Sequence, residues 1–330
     1  MKRLALSAAV LTVFLGACTS KPSNELHIYT SLDTVETPVY IEAFEKASGI
    51  KVKWVRLSAG EAVARLDAEK NNPQVSVWFA GPSPEFIVGK AKGLFENFQP
   101  QLDYTLAPPH RDADWAWTGI YFGAIGFACN EKYLADKKLK CPDSWAGLLN
   151  PAFKGQVAMA FPYTSGTAYT VVAALLELYG EEKGWDYLKK LDGQVHHYNK
   201  SGAAAVTQVG LGEVAVGISF SHDVLQKGRA SGYPVELSIP KDGTPTEIGC
   251  MALIKGAKEP ELAKKFITYM LSVEAQSELQ KFQRVPLHPK APVAPGAVTA
   301  AQIKIIPYDT QKAADNQKAI LEKWRKATAR

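Results

Sequence analysis

The chain has 330 residues, 46% of them hydrophobic, enough for about two cores, with no low-complexity tract between them. Its 38 basic and 33 acidic residues give a formal charge of +5, which falls to +3 if Lys2 and Arg3 leave with a leader. So mild a charge, without a basic stripe, argues against nucleic acid while leaving room for a local field that assists an anionic ligand. No Cys/His pair has zinc-ligand spacing, and neither a metal nor a cofactor is expected.

Lys2 and Arg3, the apolar run from Leu4 to Phe14 and the small residues before Cys18 read as a secretory signal over residues 1–17. The run is too short for an ordinary membrane helix. Leu15-Gly16-Ala17-Cys18 is similar to the bacterial lipobox, which implies diacylation of Cys18; the alternative is an ordinary signal peptide with a chance cysteine. Residues 18–24 then read as a polar tether between a membrane anchor and the folded chain. Export permits disulfides. Cys129 and Cys141 would close a short loop around a helix at Glu131 to Lys138, while Cys250, in an apolar run, is expected as a buried free thiol.

In chain order, Leu26 to Ser31 is predicted as a strand ending in hydroxyls, Thr37 to Ser48 as an amphipathic helix and Ile50 to Leu57 as the next strand. Such a β-α-β unit has parallel strands and a right-handed crossover. A helix from Ala62 to Lys70 follows, then a strand from Val75 to Phe79 broken by Ala80-Gly81-Pro82-Ser83-Pro84, then a helix from Glu85 to Lys92. Turns rich in Ser, Thr and Gly collect at one sheet edge with helix N-termini facing outward, which makes Ser31 and Ser83 candidate ligand groups.

The length and glycine spacing of Trp115 to Cys129 predict two strands, one of which crosses between domains. Pro142-Asp143-Ser144-Trp145 opens a predicted helix, and Gln156 to Met159 is a strand. Ser165, Gly166 and Thr167 stand just before a helix from Tyr169 to Leu178, where hydroxyls and free N–H groups make an anion site without Lys or Arg. A plain helix cap is the alternative. Ser201 and Gly202 repeat the layout before a helix from Ala203 to Gly210. His196 and His197 are adjacent and point apart on an extended strand, so they read as structural or surface residues.

Val216 to Phe220 is a buried strand that ends in Ser221-His222-Asp223. Polar groups at the carboxyl end of a buried strand are where open α/β sheets bind ligands; a turn with a helix cap is the alternative. Pro234 to Pro240 is a further strand, and Glu247, just before the apolar run to Ile254, points either into a cleft or to solvent. Pro260 to Met270 and Ser272 to Phe282 are amphipathic helices. Val285 to Pro289 is an extended surface segment, and Asp309 to Thr328 a Lys-rich helix that packs across a domain surface.

Several of these stretches, taken together, resemble the extracellular solute-binding proteins of ABC importers, and within them the ferric-binding-protein family. They are Ile28-Tyr29-Thr30-Ser31, Asn150-Pro151-Ala152-Phe153-Lys154-Gly155, Ser165-Gly166-Thr167-Ala168, the strand Val216 to Phe220 and the run Gly249 to Lys255, and the likeness spans residues 25–330. The resemblance implies an α/β, two-lobed periplasmic-binding-protein fold of type II, in which crossover strands join lobes that close on a ligand. Residues 25–125 and 250–300 would form lobe 1, and 126–249 and 301–330 lobe 2. It further implies a monomeric periplasmic binding protein without enzymatic activity, partnered by an inner-membrane ABC permease.

Iron-binding members end the strand matching Val216 to Phe220 with two adjacent tyrosines. Here Ser221, His222 and Asp223 stand there, Asp33 is near one first-lobe ligand position, and Gly81-Pro82 falls where a Glu is often found. Hard Fe(III) favours anionic oxygen ligands, so ferric ion is not expected. The family's anion site looks retained at Ser165, Gly166, Thr167, Ser201 and Gly202, with neutral donors holding the anion. The branch that binds hexose phosphates looks similar at His222, Asp223 and Glu247. The expected ligand is therefore a phosphorylated small organic anion, best a hexose 6-phosphate, whose hydroxyls donate to the carboxylates. The alternatives are 2-aminoethylphosphonate, with Asp223 and Glu247 on its ammonium, a phosphoglycerate, or ferric ion with a synergistic anion. A ligand-sensing partner of a membrane kinase is another. A hydrolase using His222, Asp223 and a serine is opposed by the lack of a Gly-x-Ser-x-Gly elbow.

Overall fold

The computed structural model describes residues 24–329, so the leader and Cys18 lie outside the described residues. The first half of the chain gives β1 (Glu25–Thr30), α1 (Thr37–Ser48), β2 (Lys51–Arg56), α2 (Ala59–Glu69), β3 (Val77–Pro82), α3 (Ser83–Ala91), β4 (Phe95–Glu96), β5 (Thr118–Asn130) and α4 (Glu131–Lys137). Then come β6 (Val157–Ala160), α5 (Gly166–Tyr179), α6 (Glu181–Asp192), β7 (Val195–Asn199), α7 (Ala204–Leu211), β8 (Val216–Phe220) and the short turn α8 (Ser221–Asp223). The last part holds β9 (Val235–Ser238), β10 (Thr246–Ile254), α9 (Pro260–Met270), α10 (Val273–Glu278), β11 (Val285–Pro286), α11 (Thr310–Asp315) and α12 (Gln317–Thr328).

The strands run in the order β2-β1-β3-β10-β5-β8-β6-β7. β1 is parallel to β2 and β3, as a β-α-β unit requires, and β10 lies antiparallel between β3 and β5. From Thr118 to Ala124, β5 pairs with β10; from Ile125 onward it pairs with β8 and β9. One strand therefore serves both lobes of this two-lobed type II fold. Helices cover each sheet half: Phe44, Phe79, Phe266 and Met270 pack on one side of the first half, and Trp78, Phe86 and Trp117 on the other. The second half carries its larger core around Phe127, Trp145, Val171, Trp185 and Trp324. No helix among the described residues is long and apolar enough to cross a membrane.

Several predicted elements change in the structure. Where two strands are predicted over Trp115 to Cys129, Thr118–Asn130 forms a single strand, β5, all 13 residues of which are buried. Its glycines mark close approaches instead of breaks: a Cβ on Gly123 would stand 2.8 Å from His222 Cε1, and one on Gly126 2.6 Å from Leu237 Cδ1. Ala80-Gly81-Pro82 extends β3, and α3 begins at Ser83. Trp145 leads into a short 3-10 turn at Ala146–Leu149, not a full helix. The helix α6 and the strand β7 between Glu181 and Asn199 are additional, with His196 and His197 exposed on β7. The tail forms two helices: α11 packs on α3, and α12 on α6. Cys129 and Cys141 are disulfide-bonded, and Cys250 is a buried free thiol.

Candidate ligand-binding cleft

A cleft between the lobes is lined by Ser31, Asp33, Arg56, Ser58, Gly81, Pro82, Tyr121, Ser165, Gly166, Thr167, Ser201, Gly202, His222, Asp223, Glu247 and Arg284, among others. Nine of the candidate residues meet there. Ser83 and Ser221 do not: each opens a helical turn, is buried, and is not among the lining residues. Asp33, Arg56, Ser58, Tyr121 and Arg284 complete the wall.

One end of the cleft is built from helix starts. Ser165 caps α5 by accepting from Ala168 N at 3.5 Å, which leaves Gly166 and Thr167 on the first turn. The loop before α7 is drawn against them, because Gly202 lacks a Cβ that would stand 2.4 Å from Thr167 Oγ1. From lobe 1, the chain leaves β2 at Arg56 and enters α2 at Ser58, whose backbone N–H donates to Glu61 Oε2 at 3.1 Å. Arg56 donates to Ser58 Oγ and to Ser201 Oγ, both at 2.9 Å, and pairs with no carboxylate among the described residues. The expectation that neutral donors alone form this end is thus corrected: a guanidinium joins them. Arg56 had a sequence signal, its place at the carboxyl end of a strand, the same one that marked Ser31.

The other end is a buried charge network. Arg284 is 4% exposed, and its guanidinium donates to Glu36 Oε2 at 2.9 Å and Oε1 at 3.1 Å. It also lies 4.3 Å above the ring of Tyr121. Its Nη1 stands 2.7 Å from His222 Nε2. A guanidinium cannot accept a hydrogen bond, so Nε2 is the acceptor and the imidazole carries its proton on Nδ1. Burial, aided by the Arg284 charge, holds His222 well below the usual imidazole range and keeps it neutral. Its Nδ1 has no hydrogen-bond partner among the described residues.

Around this ring stand Asp223, which accepts from Ser219 Oγ at 3.1 Å, and Glu247, whose Oε1 is 3.8 Å from His222 Nε2. Burial pushes both carboxyls up. For Glu247 it outweighs the opposing Arg284 charge and brings the group to about 8, so at neutral pH Glu247 is largely a neutral acid. Glu36 is also pushed up by burial, against the pull of Arg284. These groups come together because β8 runs directly into α8, which sets His222 and Asp223 on a helical turn rather than on a strand end. Nothing local in the sequence connects Arg284 to Glu36, which lies 248 residues away.

Contacts across the mouth hold the lobes together. Lys227 Nζ meets Asp33 Oδ2 at 2.7 Å, and Gly60 N donates to Thr164 O at 3.1 Å. A Cβ on Gly60 would stand 2.7 Å from Tyr163 O.

A family model for bacterial extracellular solute-binding proteins matches residues 86–313. A protein of Haemophilus influenzae strain Rd is 32% identical over 335 residues, covering 98% of this chain and 96% of its own length. A putative 2-aminoethylphosphonate-binding periplasmic protein of Salmonella typhimurium is 27% identical over 285 residues, covering 83% of this chain and 82% of its own. Among solved structures, the periplasmic binding protein AfuA from Actinobacillus pleuropneumoniae, with exogenous fructose-6-phosphate bound, superposes with a TM-score of 0.88 at 32% identity. That match covers 92% of this chain and 98% of the other.

Proposed function

This chain belongs to the bacterial extracellular solute-binding proteins, non-enzymatic periplasmic components of ABC importers, and we propose that its cleft captures a sugar phosphate such as a hexose 6-phosphate. The observation that carries this reading is the division of the cleft into two unlike ends. At one, Arg56, Ser58, Ser165, Gly166, Thr167, Ser201 and Gly202 offer a cation without a carboxylate partner, hydroxyls and helix N-termini, the donor set for a phosphate. At the other, beside the neutral His222 ring, the acid of Glu247 can donate and Asp223 can accept, which suits a neutral body bearing both hydroxyls and acceptor oxygens. The fructose-6-phosphate held by AfuA is a ligand of that kind.

The Salmonella relative's name favours 2-aminoethylphosphonate as the second reading. An ammonium prefers an ionised carboxylate, and Glu247 at about 8 is largely unionised at neutral pH, which weighs toward the sugar. A phosphoglycerate would bring a second anion to the acidic end and is disfavoured by like charge. Ferric ion would find no phenolate pair at Ser221-His222.

Titration calorimetry of the purified protein with glucose 6-phosphate, 2-aminoethylphosphonate and ferric citrate tests the reading. Binding of the sugar phosphate, weakened in His222→Ala and Asp223→Ala, is the expected result; binding of the phosphonate alone would reassign the acidic end to an ammonium. Uptake lost on deletion of the gene distinguishes transport from sensing. We extend the reading to a monomer anchored through a diacylated Cys18, for which the lipobox-like Leu15-Gly16-Ala17-Cys18 is the support. Metabolic labelling with a fatty acid, lost in Cys18→Ser, tests the anchor.

A further inference from the structure

Beside the anion end lies a carboxyl that the proposed ligand contacts do not use. Glu85, in the first turn of α3, is 2% exposed, and its Oε2 has no hydrogen-bond partner among the described residues. Its Oε1 stands 3.0 Å from where a Cβ on Gly166 would be, and Gly166 is both the first residue of α5 and part of the cleft wall. The carboxyl therefore occupies the seam where α3 of one lobe meets α5 of the other, with α11 packed over both.

No cation among the described residues pairs with it. From α5 it faces Tyr169, whose hydroxyl donates to Ala313 O, and Tyr308 stands near it just before α11. From β10 it faces Glu247 and Cys250. The charged groups on the other packed elements are engaged elsewhere: Lys312 of α11 with Glu177, Glu61 of α2 with Ser58, and Arg65 of α2 with Glu69; β3 carries none. Thr170 Oγ1 and the Tyr308 hydroxyl likewise lack a hydrogen-bond partner of good geometry. An ionised carboxylate here would be uncompensated and would stand against the helix turn that receives the anion. Burial pushes Glu85 to about 8, opposed only by a backbone hydrogen bond.

We propose that Glu85 is a proton-linked positioning residue of the lobe seam: the lobes close on an anion with Glu85 as the neutral acid, so that capture takes up a proton there. When the lobes part, α3 and α5 separate, water reaches the carboxyl and it ionises in the ordinary range. Between the open and closed ranges, closure and protonation are linked. The inference rests in part on the anion reading of the cleft, and its test separates the two.

Proton uptake on binding glucose 6-phosphate is measured by calorimetry at about pH 7.5 in two buffers of different ionisation heat, for the full chain and for Glu85→Gln. The wild type is expected to take up more protons than the variant, by a difference approaching one per ligand. The phosphate's own ionisation, near about 6, is common to both and cancels. Equal uptake overturns the proposal and leaves the ligand reading standing.

A second arm follows thermal unfolding from about pH 5 to 9 without ligand and with saturating inorganic phosphate. The wild type and Glu85→Gln should run parallel without ligand, where the lobes are open, and with the anion the advantage of Glu85→Gln should widen up to about 8 and then level off. The sign follows from the unfolded acid ionising near its ordinary value while the buried one keeps its proton. Parallel curves in the presence of the anion, or a gap that widens as much without it, overturn the proposal. A gap that widens with inorganic phosphate in a protein that does not bind glucose 6-phosphate would sustain Glu85 and sink the sugar-phosphate reading, and binding of neither anion would overturn both. Glu85→Leu replaces the Gln variant if that fails to fold.

Discussion

The two ends of the cleft use an arginine in opposite ways. Arg56 donates to Ser58 and Ser201 and forms no ion pair with a carboxylate among the described residues, so its charge remains available to a ligand. Arg284 is enclosed by Glu36 through two hydrogen bonds and by His222 through a third, so its charge is satisfied inside the protein. On the proposed reading the same side chain is a ligand group at one end and a scaffold at the other. What decides between them is whether a buried carboxylate faces the guanidinium.

The sharpest way to break that comparison is to remove each arginine and see what is lost. Arg284→Met strands the Glu36 carboxylate and frees His222, and breaking a buried pair from one side costs about 3–5 kcal/mol of stability. Chemical denaturation reads this directly. A loss under about 1 kcal/mol would show that Glu36 simply takes a proton, and that the pair is not the scaffold. Arg56→Met should behave in the reverse manner. It removes charge-assisted hydrogen bonds of about 1.5–3 kcal/mol, so the dissociation constant for glucose 6-phosphate should rise about ten- to hundredfold with little change in unfolding. A matching loss of stability would move Arg56 into the scaffold class.

Gly60→Ala probes the seam between the ends without touching a charge. Its Cβ would meet Tyr163 O across the lobe contact at 2.7 Å, so closure should be hindered. An affinity loss of about 1 kcal/mol is expected from mild overpacking. The helix itself gains from alanine by about 0.5–1 kcal/mol, so unfolding of the ligand-free protein should hold steady or improve. Opposite signs in the two measurements are the signature of a wedge; a fall in both would mean that Gly60 serves the fold of α2 alone.

The same division governs how much was legible in the sequence. The proposed anion end was readable because it is local: Ser165-Gly166-Thr167 and Ser201-Gly202 are a few residues long, and their position at helix starts follows from pattern alone. The strand β1, the helix α1 with its terminal Gly49 in the left-handed region, and the Cys129–Cys141 bridge were readable for the same reason. The acidic end was half readable. His222, Asp223 and Glu247 stand at the edges of apolar runs, but the burial that sets their protonation, and the Arg284 charge beside them, arise only when distant segments close, and Arg284 and its partner Glu36 each look like an ordinary charged residue next to a helix or strand. Glu85 is concealed in the same way: an acidic residue after Ser83-Pro84 reads as a favourable first-turn partner of the helix dipole. Only the approach of α5 from the other lobe makes it buried and unpaired.

The smallest effect belongs to the pair at the mouth. Lys227 and Asp33 are 27% and 21% exposed, and a pair so placed contributes under about 1 kcal/mol. Burial pushes the Asp33 carboxyl up, but the Lys227 hydrogen bond and charge more than offset it and hold the group below the usual carboxylate range. A depressed acid stabilises the paired state above its unfolded value and loses that contribution as the pH falls through the folded one. Lys227→Ala should therefore weaken ligand binding a few-fold at neutral pH and low salt, less in high salt, and scarcely at all once Asp33 is protonated in acid. Binding measured at both salt concentrations checks this. A deficit that ignored salt would place Lys227 on the ligand itself, and would make the mouth a third ligand-binding region instead of a latch between the two ends.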